Sequence, residues 1–244
     1  MQAQFNHFGV VGAGAWGTAL AQALRRSGRQ VTLWARDAAV AQTVNARHEN
    51  PTYLPDVPLD HAVQATSHLA DLASCQALLL VTPAQHLRAM LKQLPPLVGK
   101  APLIICAKGV ERGSLALLSA VVQEECPGHP VAVLSGPTFA REVARGLPTA
   151  VTLAMTDQAL GRALAAAMGN RSLRPYLTDD IVGTQIGGAI KNVLAVACGI
   201  VEGKGLGDNG RAALITRGLS EMARLGTVLG GRAETFMGLS GLGD

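Results

Sequence analysis

Three glycines, Gly12, Gly14 and Gly17, stand in the order G-x-G-x-x-G between the β-rich segment HFGVV and an alanine-rich run, AWGTALAQAL. In that setting each glycine has its own chemical use. Gly12 permits a tight turn, Gly14 leaves no β-carbon between the backbone and a pyrophosphate, and Gly17 lets the helix pack closely on the strand. The first turn of the helix adds free N–H groups for phosphate oxygens. A dinucleotide is therefore the expected ligand. The bland alternative, a glycine-rich turn that binds nothing, is disfavoured by the position near the N-terminus and by the strand that follows.

That strand, Gln30 to Ala35, ends in Arg36 and Asp37, nineteen and twenty residues beyond Gly17. This is where the residue that reads the adenosine ribose falls: an acid accepts from a ribose 2′-hydroxyl, and an arginine accommodates a 2′-phosphate. Asp37 also suits the N-cap of a helix over 38–46. Arg36 therefore tilts the expectation toward NADP, with NAD still open.

Such a site needs a sheet to carry it, and the composition allows one. The chain has 244 residues, 48% of them hydrophobic and only 3% aromatic, with 28 glycines, which suits a globular helix-and-sheet protein with close backbone packing. The net charge of +4, from 21 basic and 17 acidic residues without a basic run, argues for small anionic molecules and does not argue for nucleic acid; none is expected. Cys75, Cys106, Cys126 and Cys198 are dispersed, so they read as buried thiols of a reducing compartment and not as a zinc or redox motif. The N-terminus lacks a basic region followed by an apolar stretch, and no segment is read as reaching the roughly 18 apolar residues of a span. The expectation is a cytoplasmic chain without a membrane span and without metal.

Alternation of strand and helix patterns then predicts βα units and a mostly parallel sheet. Strands are expected near Val63–Thr66, Ala77–Val81, Leu103–Ala107, Val131–Leu134 and Ala150–Ala154, with helices near 84–93 and 114–125. Pro83, Pro95-Pro96 and Pro127-Gly128 punctuate them, and 50–58, with three prolines, reads as a loop or extended connection. From 180 onward long helical patterns take over, at 181–202 and 211–229, with 203–210 as a glycine-rich turn. The reading is a Rossmann-type domain, 1–179, followed by an incomplete all-helical domain, 180–244.

Several segments together resemble bacterial soluble NAD(P)-dependent glycerol-3-phosphate dehydrogenase. They are GVVGAGAWGTALA at 9–21, AKGVE at 107–111, LSGPTFARE at 134–142, GAIKNV at 188–193 and GLSGLGD at 238–244, in the family's order and spacing. The resemblance implies an oxidoreductase that interconverts sn-glycerol 3-phosphate and dihydroxyacetone phosphate by hydride transfer and supplies glycerol 3-phosphate for phospholipid synthesis.

By resemblance Lys191 is the catalytic acid/base. A lysine can take the hydroxyl proton of an alcohol when its setting favours the neutral amine, and the apolar, glycine-rich neighbours of Lys191 count against a merely solvated residue. The resemblance assigns Lys108, Gly136, Thr138, Lys191, Asn192 and Asp244 to the substrate. It assigns Gly12, Gly14, Ala15, Trp16, Gly17, Arg36, Lys108 and Ala140 to the cofactor. Lys108 also ends an apolar strand, where ligands of open α/β sheets gather. Trp16 serves packing equally well, Thr138 suits an N-cap, and the six histidines match no motif.

The family continues past GLGD to a Ser-Arg-Asn segment that holds the substrate phosphate; this sequence ends before it, and no arginine clamp is assigned. Arg211, Arg217 and Arg232 could add charge, but no motif supports them. Two alternatives stay open: a related hydroxyacid or 6-phosphogluconate-type dehydrogenase, against which SGPTFARE and GLGD speak, and a non-catalytic dinucleotide-binding fragment. A homodimer is compatible with apolar surface on the two long helices.

Overall fold

A computed structural model describes residues 5–94 and 99–243. The expectations at Pro95-Pro96 and Asp244 lie outside the described residues.

The chain begins β1 (His7–Val11), α1 (Ala15–Arg26), β2 (Gln30–Trp34) and α2 (Ala38–Arg47). It continues with β3 (Glu49–Asn50), β4 (Leu54–Pro58), β5 (Val63–Thr66), β6 (Ala77–Leu80) and α3 (Leu87–Leu91). Then come β7 (Leu103–Ile105), α4 (Leu118–Glu125), β8 (Val131–Ser135), α5 (Ala140–Arg145), β9 (Thr149–Ala154), α6 (Gln158–Met168) and β10 (Leu173–Thr178). The helices α7 (Ile181–Gly203), α8 (Gly207–Val228) and α9 (Ala233–Phe236) follow.

The sheet order is β10-β9-β8-β7-β6-β1-β2-β5. From β1 the chain moves outward through β2 to β5 and then returns to β6 on the other side of β1. The order therefore reverses between β1 and β6, and the crevice beyond the carboxyl ends of those strands is where open α/β sheets bind ligands.

Central strands read as apolar runs because both faces are covered. Alternate side chains serve opposite layers: Val10, Leu79, Ile104 and Leu134 join the layer with α1, α5 and α6. Val11, Leu78, Leu80, Leu103, Ile105 and Val133 join the layer with α3 and α4. A smaller third cluster, Ile186, Met222 and Phe236, sits among α7, α8 and α9 and reaches Leu117.

Several expectations need correction. The sheet is mostly parallel as expected, with β9 antiparallel to β8 and β10 parallel to β9, but no element was expected over 155–178, where α6 and β10 lie. Residues 50–58 include a short hairpin, β3 with β4. Helix α4 starts at Leu118 and not near 114, because Leu115 takes a left-handed φ of 56° and Gly113 one of 85°. The expected helix over 84–93 is a 3-10 turn, Ala84–His86, followed by α3.

The turn at 203–210 shrinks to 204–206, since α8 starts at Gly207. Asp208 complements the positive end of α8 and pairs with Arg211 at 3.5 Å. Cys126 and Cys198 are only partly buried. Helix α7 has 23 residues, with an 18-residue window of mean hydropathy 1.4, long and apolar enough to cross a membrane by length and composition. Its isoleucines, valines and leucine hold the average up around Lys191 and Asn192; a core helix can meet the same criterion, but only 17% of this window is buried. Its first turns are buried, while Val193, Val196 and Ile200 are exposed.

Candidate active site

The turn between β1 and α1 uses its three glycines for three different reasons. Gly12 has a φ of 121°, its N–H donates to the Trp34 carbonyl at 3.0 Å, and a β-carbon there would lie 3.1 Å from the Val81 carbonyl carbon. At Gly17 a β-carbon would overlap the Gly12 carbonyl oxygen. Gly14 is different: nothing lies within 4 Å of its missing β-carbon. It is the N-cap of α1, with no capping side chain and no acid in the first turn. The open space and uncapped N–H groups fit a pyrophosphate.

Behind this turn, the buried Asn50 of β3 donates from Nδ2 to the Ala13 carbonyl at 2.9 Å and to Thr18 Oγ1 at 2.8 Å. Ala15 and Trp16 are half-buried against the core. Arg36 is exposed just past β2, and Asp37 caps α2 through Oδ1, which accepts from Ala39 N at 2.9 Å. The acid at this position thus has a structural duty.

Lys108 lies past the carboxyl end of β7. The loop it opens turns at Gly109, φ 130°, and is pinned from the α3 side. Gln85 donates to the Val110 carbonyl at 2.8 Å and accepts from Arg112 N at 2.9 Å. Arg88 grips Glu111 with Nε at 2.8 Å and Nη2 at 2.9 Å, and also reaches Glu124 and Glu125. Hydrogen bonds from Arg88, and then from Ser114, push the Glu111 carboxyl down to about 2.

Lys108 Nζ donates to the Gly136 carbonyl at 3.3 Å, and Thr138 Oγ1 donates to the same oxygen at 3.3 Å. Gly136, with a φ of 151°, presses on Val151 of β9, whose Cα would lie 3.1 Å from a β-carbon at 136. Ala140 opens α5 directly beyond.

Helix α7 is anchored at its start. Asp180 Oδ1 accepts from Gly183 N at 2.8 Å, and Oδ2 accepts from Arg232 N at 2.9 Å and Thr235 Oγ1 at 2.5 Å. Gln185 bonds Ser119 of α4 twice, at 2.9 and 2.8 Å. Two glycines then let neighbours come close. A β-carbon on Gly187 would overlap the Ser240 carbonyl oxygen, and one on Gly188 would lie 2.9 Å from Ser135 Oγ and 3.5 Å from Lys108 Cγ.

Lys191 and Asn192 are three and four residues past Gly188, on the same side of α7 one turn along. Asn192 is exposed, whereas Lys191 is half-buried and lines a cavity of about 210 Å³ with Leu194, Met222, Gly241 and Leu242, among others.

The fold therefore gathers Gly12, Gly14, Gly17, Arg36, Lys108, Gly136, Thr138 and Ala140 beyond the carboxyl ends of β1, β2, β7 and β8. It docks α7 against that edge through Gly188. Asp244 lies outside the described residues. Arg211, Arg217 and Arg232 are engaged with Asp208, Glu221 and Asp179. Sequence reasoning missed Asn50, Ser135, Gln85 and Arg88, whose partners are distant in sequence and leave no local pattern. Among the described residues no group of three metal-ligating side chains occurs.

Residues 7–161 match a family model described as the N-terminus of NAD-dependent glycerol-3-phosphate dehydrogenase, and residues 180–244 match the corresponding C-terminus model. A glycerol-3-phosphate dehydrogenase [NAD(P)+] of Rhodospirillum rubrum is 61% identical over 98% of this chain, which spans 69% of that relative. The Paramagnetospirillum magneticum protein of the same name is 61% identical over 97% of the chain and is itself spanned to 86%. The crystal structure of a Coxiella burnetii glycerol-3-phosphate dehydrogenase superimposes with a TM-score of 0.93 at 40% identity, covering 98% of this chain and 74% of that one.

Proposed function

Because the chain belongs to the NAD-dependent glycerol-3-phosphate dehydrogenase family, we propose that its site performs that reaction with Lys191 as acid/base. The reaction interconverts sn-glycerol 3-phosphate and dihydroxyacetone phosphate. The observation that carries the assignment of roles is the meeting of three separate motifs at Gly188: Lys108 and Ser135 against it, Gly136 bonded to Lys108, and Lys191 one turn further on.

Gly12, Gly14, Ala15, Trp16 and Gly17 hold the dinucleotide, with uncapped N–H groups of α1 on its pyrophosphate, and Ala140 lies on the nicotinamide side. When bound, the nicotinamide supplies or accepts the hydride. In reduction, the Lys191 ammonium gives a proton to the oxygen that was the substrate carbonyl; in oxidation, the neutral amine takes the hydroxyl proton. Lys108 offers positive charge to the substrate, Thr138 and Asn192 hydrogen-bond its oxygens, and the Gly136 carbonyl orients the Lys108 ammonium. Asp244 completes the substrate set.

Arg36 favours NADP over NAD, since its guanidinium is exposed where a ribose 2′-phosphate falls while Asp37 is engaged as a cap. The dinucleotide part is read as 1–179 and the helical substrate part as 180–244, in a cytoplasmic enzyme acting on a small phosphorylated substrate. The test is the chain incubated with dihydroxyacetone phosphate and NADPH, and separately NADH, followed at the reduced nicotinamide absorbance band. Turnover, faster with NADPH, is expected; dinucleotide binding without turnover would reduce the chain to a cofactor-binding fragment.

A further inference from the structure

We propose that Asn50 is a positioning residue for the cofactor: it fixes the peptide plane that aims the Gly14 N–H at the pyrophosphate. The proposal rests on the dinucleotide reading above. A trans peptide holds its C=O and N–H in one plane and pointing opposite ways. The Ala13 carbonyl and the Gly14 N–H belong to one such peptide. Asn50 Nδ2 donates to that carbonyl at 2.9 Å from the protein side, so the N–H is turned away from it, toward the front of α1, where nothing lies within 4 Å of the missing β-carbon of Gly14.

The carboxamide is itself held firmly. It is 1% exposed. Its second N–H hydrogen goes to Thr18 Oγ1 at 2.8 Å, and Thr18 in turn donates to the Ala13 carbonyl at 3.3 Å. Its Oδ1 accepts from Tyr53 N at 3.3 Å within the β3–β4 hairpin, and β4 packs against both α1 and α5. Both donor hydrogens and the acceptor are thus in use. Aspartate in this position would set a carboxylate against a carbonyl oxygen and beside the phosphate site.

Asn45 supplies an internal comparison. Though itself exposed, it also makes two part-buried carboxamide bonds, Nδ2 to the Ala65 carbonyl and Oδ1 from Ala65 N, both at 2.8 Å, but these tie α2 to β5 and leave the turn untouched.

The experiment titrates NADPH by nicotinamide fluorescence and records unfolding midpoints for the wild-type chain, Asn50→Leu, Thr18→Val and Asn45→Leu. Asn50→Leu is expected to raise the NADPH Kd by about tenfold, the equivalent of one lost buried hydrogen bond, with kcat at saturating NADPH little changed. Asn45→Leu is expected to lower the unfolding midpoint and leave the Kd as in the wild type. An Asn50→Leu chain that binds NADPH normally, or an Asn45→Leu chain weakened to the same degree, overturns the proposal. If Asn50→Leu does not fold, Thr18→Val decides by the same criterion, since it removes the hydroxyl shared by Asn50 and Ala13. A wild-type chain that binds neither NADPH nor NADH overturns the dinucleotide reading itself.

Discussion

The hydroxyl of Ser135 occupies the space that a β-carbon on Gly188 would need, 2.9 Å away. It is buried without a hydrogen-bond partner among the described residues. Where the end of β8 meets the side of α7 that carries Lys191, this oxygen faces one missing methyl group, and their approach at this point is limited by sterics rather than fixed by a bond.

Gly188→Ala is accordingly expected to destabilise the chain by about 1–3 kcal/mol through overpacking and to lower turnover by displacing α7. Ser135→Ala alone removes an unpartnered hydroxyl and is expected to be nearly neutral for stability. Combining the two is expected to restore most of the Gly188→Ala loss, because the next atom in the way, Lys108 Cγ, is at an ordinary 3.5 Å. Thermal unfolding of the four chains forms a double-mutant cycle, and strict additivity would show that the two positions do not share this contact.

Lys191→Ala is expected to lower kcat by about 10²–10⁴-fold, the range for a lost general acid or base, with NADPH affinity nearly intact. Steady-state rates beside a fluorescence titration separate the two. A near-normal kcat would remove Lys191 from the proton-transfer role.

Arg36→Asp is expected to weaken NADPH relative to NADH by about ten- to hundredfold, since charged hydrogen bonds to a 2′-phosphate are lost and a like charge is introduced. The ratio of kcat/KM for the two cofactors measures it, and an unchanged ratio would place 2′-phosphate recognition elsewhere.

Arg88 gives a pH prediction. Its hydrogen bonds hold Glu111 at about 2, below the ordinary 4.5. A carboxyl depressed in the folded state stabilises above the ordinary value, and that contribution is lost as pH falls from 4.5 toward 2. In Arg88→Gln, urea unfolding midpoints are expected to fall below wild type at neutral pH and to converge with it in acid. A constant gap at all pH values would mean that the ion pairs are not its source.

The sequence by itself determined the dinucleotide turn. Its requirements are local: a positive φ at Gly12, open space at Gly14 and a close helix at Gly17 all arise within six consecutive residues. It also determined the parallel edge strand β5, from its alternation, the strands β6 to β8, whose apolar runs announce burial on both faces, and the helical character after 180.

Only the tertiary structure decided the antiparallel return of β9, where Gly136 presses on Val151, and the true start of α4 beyond the left-handed Leu115. It alone placed Asn50 under the Ala13 carbonyl, 37 residues back along the chain, and Gly188 against Ser135. Short-range patterns record backbone conformation and which face is buried. A hydrogen bond or a missing β-carbon acts between positions that the chain order keeps far apart, so such pairings exist only once the sheet has set the distances.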